Sequence, residues 1–226
     1  MIEAIIFDFD GVLVKSNEIR KRTYFNIFPE TPERDKIVEE CLKSSKTKTR
    51  WGLIEDIILK LKEKRLIDYK DLENEKKKYV DKYSKITEEK TSIAEEVRGS
   101  KESLRELSKK YDIFIVSGTT QESLDVVVKN RGLSTYFKGV YGTMPRKRSK
   151  IELIKKILQD FRLDSKKIIY IGDGEEDLET AKFYNMIFIG LINKDNGFEI
   201  RKDIKYKLND LTRLNELIRE IDSKTS

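Results

Sequence analysis

Histidine is missing from this chain of 226 residues, and Cys41 is its one cysteine. Without histidine, the Ser-His-Asp and Cys-His arrangements of nucleophilic catalysis are excluded, together with the commonest ligands of zinc. A single cysteine cannot form an intrachain disulfide, which fits a reducing compartment. If the chain is an enzyme, its acid–base groups are therefore carboxylates, lysines or tyrosines.

Long apolar stretches are also lacking, because no run reaches the roughly 18 residues that a membrane helix requires. No signal-peptide pattern occurs either, and Met1 leads directly into an apolar run. We therefore expect a cytoplasmic protein that makes no membrane contact. The length allows one large domain or two modest ones.

The charge balance indicates the kind of partner. Lysine and arginine number 47 against 41 acids, a formal net charge of +6, and such a field attracts anionic substrates, phosphate esters included. Nucleic acid is the alternative, but the lysines alternate with glutamates along predicted helices instead of forming one basic stripe. We expect a small anionic ligand and no nucleic acid.

The chain shows two patterns, one of alternating strands and helices and one of helices alone. In the first, short apolar runs alternate with segments whose apolar residues have helical spacing. The runs predict strands at residues 2–7, 113–116, 139–142, 167–172 and 187–190, with an edge strand near Tyr206. This alternation predicts an α/β protein, a Rossmann-like three-layer core whose parallel sheet carries helices on both faces. Between the first two strands, apolar residues occupy one face of predicted helices, as at residues 51–61. We predict a core of residues 1–15 and 97–226 and an inserted helical domain of residues 16–96.

Polar residues stand where three predicted strands end, namely Asp8 and Asp10, Ser117 and Thr119, and Asp173 and Asp177. In an open parallel sheet these ends meet at one edge, where ligands bind. Two acids side by side repel unless a cation, a shared proton or a division of chemical roles resolves the repulsion. Oxygen ligands without histidine or cysteine favour Mg²⁺ over zinc.

The run from Phe7 to Leu13, FDFDGVL, resembles the first motif of the haloacid dehalogenase-like (HAD) hydrolases. Ser117 is similar to their second motif, and the run GDGEED from Gly172 to Asp177 resembles their fourth, an acidic loop. Their third motif is a lysine. Lys150 stands where phosphoserine-phosphatase-like members carry it, and Lys147 is the alternative. The resemblance covers the predicted core, and the helical insert resembles a cap domain of the C1 type.

This resemblance implies a division of roles among the acids. Asp8 would attack phosphorus and form an aspartyl-phosphate, and Asp10 would protonate the leaving alcohol and later deprotonate water. Mg²⁺ would be held by Asp8, the main-chain carbonyl of Asp10 and Asp173, with Asp177 in support.

The remaining roles concern phosphate and substrate. By the same resemblance, Ser117 and the N–H groups near Gly118 would bind phosphate oxygens, and Lys150 would neutralise both the phosphate and Asp8. In the predicted cap, Arg50 is either a solvated arginine beside a core aromatic or, with Lys46 and Lys48, a group that reads the substrate.

An acid at Asp10 favours a phosphatase or a phosphomutase over a dehalogenase, because a leaving alkoxide needs a proton and a leaving halide does not. We therefore expect a Mg²⁺-dependent phosphomonoesterase that hydrolyses a small phosphorylated metabolite as a monomer or homodimer. A phosphomutase acting on a sugar phosphate is one alternative, although the cap histidine of hexose-phosphate mutases is absent. A non-catalytic HAD-like binding protein is the other, and intact acids and lysine argue against it.

Overall fold

The computed structural model describes residues 1–44, 49–144, 149–194 and 196–225. The chain divides into two compact units. The core unit consists of Met1–Lys15 and Ala94–Ser226, and the helical unit consists of Ser16–Ile93. The helical unit is therefore an insertion after the first strand of the core unit.

The core unit is built on a sheet of six strands. They are β1 (Ala4–Phe7), β2 (Asp112–Thr120), β3 (Gly139–Thr143), β4 (Ile168–Gly172), β5 (Ile187–Leu191) and β6 (Tyr206–Leu208). Their order is β3-β2-β1-β4-β5-β6, and every neighbouring pair is parallel. The predicted α/β, Rossmann-like parallel sheet is thus confirmed, with β1 between β2 and β4.

Helices cover both faces of this sheet, because alternate residues of each buried strand point to opposite sides. On one face Ile5 and Phe7 pack with apolar residues of α5 (Ser100–Leu107), α6 (Gln121–Asn130) and α9 (Leu214–Thr225). On the other, Ala4 and Ile6 pack with α7 (Lys150–Phe161) and α8 (Glu175–Phe183). None of the helices in the described part of the chain combines the length and apolar character of a membrane span.

The helical unit contains α1 (Asn17–Ile27), α2 (Pro32–Ser44), α3 (Arg50–Glu63) and α4 (Leu72–Ile93). Its own apolar core includes Ile54, Ile57 and Tyr83, all fully buried. Pro29 and Pro32 predict the end of the helix that precedes them, and α1 ends at Ile27, ahead of both prolines. Pro32 itself is the first residue of α2. That position suits proline because the first N–H of a helix has no partner within the helix.

Candidate active site

The strand order places β1 and its two acids at the centre of the site. The main-chain N–H of Asp8 donates to the carbonyl of Ile171 at 2.9 Å, which continues the pairing of β1 with β4. Asp8 and Asp10 are both buried, at 5% and 4% exposure. Their side chains nevertheless belong to different groups of residues, one beside β4 and one beside β2.

Lys150 joins the group beside β4. It is the first residue of α7, and it is 5% exposed. Its Nζ lies 3.1 Å from Oδ1 of Asp8 and 2.6 Å from Oδ1 of Asp177. Ser149 and Glu152 form a reciprocal capping box that fixes where α7 begins, and hence where Lys150 stands. The alternative, Lys147, lies outside the described residues.

Asp177 is held by three donors. Its Oδ2 accepts from the main-chain N–H of Gly174 at 3.0 Å, and its Oδ1 accepts from Lys150 and from the hydroxyl of Tyr170 at 2.7 Å. The sequence pattern predicts that the helix after β4 begins at Leu178, and α8 begins three residues earlier, at Glu175. Asp177 therefore lies in the first turn of the helix, where a carboxylate interacts favourably with unpaired N–H groups.

Asp173 is oriented by the loop that follows β5. Its Oδ2 accepts from Nδ2 of Asn193 at 2.8 Å, and its main-chain carbonyl accepts from Nδ2 of Asn196 at 2.9 Å. Asn196 also donates to the carbonyl of Leu191 at 2.8 Å. Because β5 pairs with β4, the two loops are neighbours. The residues after β5 hold Asp173 in a defined orientation.

Three buried carboxylates form a cluster at this edge. Asp8, Asp173 and Asp177 each offer one oxygen, and these atoms lie within 4.8 Å of one another. Carboxylate oxygens are the ligands that Mg²⁺ prefers, so the donor set fits that cation. Both oxygens of Asp177 already accept hydrogen bonds, from Gly174, Lys150 and Tyr170.

The carboxylate of Asp10 lies beside β2. Its Oδ2 accepts from the hydroxyl of Thr119 at 2.9 Å and from that of Ser117 at 3.4 Å. Ser117 is fully buried, and its Oγ also accepts from the main-chain N–H of Thr119 at 3.0 Å. Of the four aspartates that the family resemblance assigns to the metal, Asp10, which would contribute its main-chain carbonyl, is the one whose side chain lies in this separate group.

Gly118 stands between these two hydroxyl residues. Its carbonyl accepts from the hydroxyl of Thr143 at 3.0 Å. The pairing of β2 with β3 shifts register between Ser117 and Thr120, which interrupts the ladder at this point. A Cβ built on Gly118 would have no heavy atom within 4 Å, so its surroundings are open.

Burial and charge act in opposite directions in the group beside β4. Burial raises the pKa of Asp8 well above its ordinary value; Lys150 opposes the rise, and the Asp177 and Asp173 carboxylates add to it. Burial on its own would lower the pKa of Lys150, but the Asp177 and Asp8 carboxylates outweigh it, and that pKa is raised well above its ordinary value. Lys150 therefore remains an ammonium ion, and a further cation would relieve the repulsion among the carboxylates.

Arg50 lies in the helical unit and has partners there. It is the first residue of α3, mostly buried, with its guanidinium carbon 4.6 Å from the centre of the Tyr83 ring. Its Nη1 donates to the hydroxyl of Ser84 at 3.1 Å. Arg50 is thus not a solvated side chain, and its role in substrate binding stays a prediction. Lys46 and Lys48 lie outside the described residues.

The sequence does not identify Tyr170, Asn193 and Asn196 as residues of the site, and it gives Thr119 no role. Tyr170 falls within an apolar strand and resembles an ordinary core aromatic. Thr119 is part of the predicted polar cluster after β2, but its contact with Asp10 depends on the pairing of β1 with β2. The two asparagines follow a strand end, as the other polar clusters do, and that position is the signal that could have found them.

Solved structures of similar fold cover almost the whole chain. A protein from Haemophilus somnus 129pt, described as a predicted phosphoglycolate phosphatase, has a TM-score of 0.72 at 17% identity, over 96% of this chain and 98% of its own. β-Phosphoglucomutase from Clostridium difficile has a TM-score of 0.72 at 19% identity, over 97% of this chain and 96% of its own. YfnB from Bacillus subtilis, a presumed HAD-hydrolase bound to magnesium, has a TM-score of 0.70 at 15% identity, over 96% and 99% of the two chains. At these identities the likeness establishes the fold.

The family follows from the sequence itself. No curated protein sequence is significantly similar to the chain. The family model of haloacid dehalogenase-like hydrolases matches residues 5–191, which span β1 to β5 and carry the acids and the lysine of the site. The chain therefore belongs to the haloacid dehalogenase-like hydrolases.

Proposed function

We propose that the protein is a Mg²⁺-dependent phosphomonoesterase that hydrolyses a small phosphorylated metabolite through an aspartyl-phosphate. The observation that carries this proposal is the position of Lys150, buried between Asp8 and Asp177 beside the carboxylate cluster. A buried ammonium ion beside several acids is an arrangement suited to receiving a phosphoryl group, whose negative charge needs compensation.

Asp8 acts as the nucleophile. Its oxygen forms a bond to phosphorus while the bond from phosphorus to the leaving oxygen breaks, and Lys150 offsets the charge on both partners. Water then attacks phosphorus, and the phosphate leaves Asp8. The hydroxyl of Ser117, in place of its contact with Asp10, and the N–H groups around Gly118 supply hydrogen bonds to the phosphate oxygens. The surroundings of Gly118 are open.

Asp10 moves the proton. It donates a proton to the leaving alkoxide in the first step and removes one from water in the second. Its carboxylate accepts hydrogen bonds from two hydroxyl groups, those of Thr119 and Ser117. Both hydroxyl groups are uncharged, and they orient the carboxylate of Asp10.

Asp8, Asp173 and the main-chain carbonyl of Asp10 would hold Mg²⁺. When bound, it supplies positive charge against the phosphoryl oxygens and lowers the repulsion among the acids. Asp177 supports this arrangement by holding Lys150. In this proposal the helical unit serves as a cap that excludes water and contacts the substrate, with Arg50 among its binding residues.

The test is a panel of phosphorylated metabolites and one aryl phosphate, incubated with the protein and Mg²⁺, with released inorganic phosphate as the readout. Asp8→Asn should lower turnover by at least about 10³-fold without changing the fold. Asp125→Asn, an exposed change on α6, is the matched control and should leave turnover unchanged. Substantial turnover by the Asp8 variant would exclude it as the nucleophile. Release of an isomeric sugar phosphate instead of inorganic phosphate would identify a phosphomutase, the second candidate.

Asp10→Asn tests whether Asp10 protonates the leaving group. Alkyl phosphates have poor leaving groups that need a proton, whereas 4-nitrophenolate leaves without one. The variant should therefore lose alkyl phosphate hydrolysis by a much larger factor than hydrolysis of 4-nitrophenyl phosphate. Equal losses on both substrates would contradict the assignment of Asp10 as the acid.

A further inference from the structure

Tyr170 is a fully buried residue of β4 whose hydroxyl reaches the site. Its hydroxyl donates to Oδ1 of Asp177 at 2.7 Å, and the same oxygen accepts from Lys150 at 2.6 Å. Two donors of different charge thus share one carboxylate oxygen. The mechanism described above assigns no task to this hydroxyl.

Packing does not explain why a tyrosine stands here. Its ring lies in the apolar cluster beneath α7 and α8. The ring meets Phe188 edge to face, with the centres 6.4 Å apart, and a phenylalanine at position 170 would make the same contact. A buried hydroxyl costs free energy unless it is hydrogen-bonded, so its bond to Asp177 is the reason to look for a role.

The hydroxyl is a permanent donor. A phenol is protonated at neutral pH, since its ordinary pKa is about 10. The proton of Tyr170 points to an oxygen that also accepts from Lys150. Each donor reduces the charge that the oxygen presents to the other.

The distances around Lys150 indicate what this sharing does. Its Nζ is closer to Asp177, at 2.6 Å, than to Asp8, at 3.1 Å. Without the tyrosine hydroxyl, Asp177 would attract the ammonium ion more strongly and would be free to turn toward it. Lys150 would then move away from the oxygen that attacks phosphorus.

We propose that Tyr170 is a positioning residue: its hydroxyl fixes Asp177 and limits the hold of Asp177 on Lys150, so that the ammonium ion stays shared with Asp8. The effect on kcat rests on the proposed phosphatase function. The position of the ammonium ion is independent of that function, and it can be measured in the protein without substrate.

Tyr170→Phe removes the hydroxyl and keeps the ring. Tyr184→Phe is the matched control, because the Tyr184 hydroxyl donates to the carbonyl of Ile151 on the same helix as Lys150, at 2.9 Å, and touches no carboxylate of the site. Loss of one hydrogen bond to a charged group should lower kcat of the Tyr170 variant about 10-fold, with KM changed less than about 2-fold. Tyr184→Phe should leave both kcat and KM unchanged.

The second readout is the ¹⁵N–¹H resonance of the Lys150 ammonium group, assigned by its loss in Lys150→Met. We expect it to shift in the Tyr170 variant and to stay in place in the Tyr184 variant. An unmoved resonance in the Tyr170 variant, or equal shifts in both, would overturn the proposal. If the unaltered protein hydrolyses no phosphate ester, the proposed function fails, and the resonance alone still decides the positioning role.

Discussion

Replacing Lys150 with methionine tests the electrostatic arrangement of the site most directly. Methionine keeps much of the apolar stem but leaves Asp8 and Asp177 buried without their ammonium partner. With an effective dielectric constant of about 20, attraction across 3.1 Å and 2.6 Å amounts to roughly 5 and 6 kcal/mol. The desolvation cost of the buried ammonium offsets several kcal/mol of this. We therefore expect a net loss of about 3–5 kcal/mol in the free energy of unfolding, the range for a broken buried pair.

Lys156→Met is the matched control on the same helix. Nζ of Lys156 lies 2.6 Å from Oδ2 of Asp160, the same distance that separates Lys150 from Asp177, but the two side chains are 46% and 44% exposed. An exposed pair four residues apart contributes only about 0.3–0.5 kcal/mol. The two lysines match in helix and in the distance to one acid, and they differ in burial and in the second partner of Lys150, Asp8.

Thermal unfolding followed by circular dichroism, with and without Mg²⁺, measures both variants. For a chain of this size 1 kcal/mol corresponds to about 2–4 °C, so Lys150→Met should lower Tm by about 6–20 °C and Lys156→Met by about 1–2 °C. Millimolar Mg²⁺ should restore part of the first loss, since it supplies positive charge among the same carboxylates, and none of the second. If Lys150→Met and Lys156→Met have the same Tm in the absence of Mg²⁺, the buried ion pair contributes little to stability and the predicted loss of about 3–5 kcal/mol is refuted.

Two further predictions concern the loop after β5 and the entry to α5. Asn193→Ala removes the amide that orients Asp173, so Mn²⁺ binding, measured by electron paramagnetic resonance, should weaken about 10–100-fold. Asn130→Ala, a change at an exposed position, is the control. Unchanged Mn²⁺ affinity of the Asn193 variant would show that Asp173 needs no such support. Gly99→Ala should cost more than about 2 kcal/mol in urea unfolding, because φ is +83° and a Cβ would lie 2.5 Å from the main-chain nitrogen of Thr212. Gly132→Ala, with φ +66° and open surroundings, should cost only about 1–2 kcal/mol, and equal costs would rule out the clash.

The sheet could be predicted from the sequence because each buried strand is a short apolar run that ends in a polar group. Residues of β1 and β4 are buried throughout, so hydrophobic runs alone mark them. The sequence places the start of α8 three residues too far along the chain, at Leu178, because Gly174 and two glutamates have the composition of a loop. The side chain of Asp177 accepts the N–H of Gly174 and thereby begins the helix earlier.

The contacts that orient the site could not be predicted in this way. Tyr170 and Asp177 are close in sequence, but their hydrogen bond depends on how α8 packs against β4. Asn193 reaches Asp173 only because β5 lies next to β4, and strand order is a property of the whole chain. Periodicity describes single elements, whereas these contacts depend on which elements become neighbours.

The same strand order explains why Asp8 and Asp10, which are separated by a single residue, have different surroundings. Asp8 lies toward β4, where Lys150 and further carboxylates create a charged environment suited to a metal and a phosphoryl group. Asp10 lies toward β2, where its carboxylate accepts from the hydroxyl groups of Ser117 and Thr119. Because β1 lies between β4 and β2, each acid has a different set of neighbours. In the proposed mechanism the nucleophile Asp8 lies beside Lys150, and the proton carrier Asp10 lies beside hydroxyl groups. Thr119→Lys should therefore hold Asp10 as an anion, and hydrolysis of alkyl phosphates should fall by a larger factor than hydrolysis of 4-nitrophenyl phosphate.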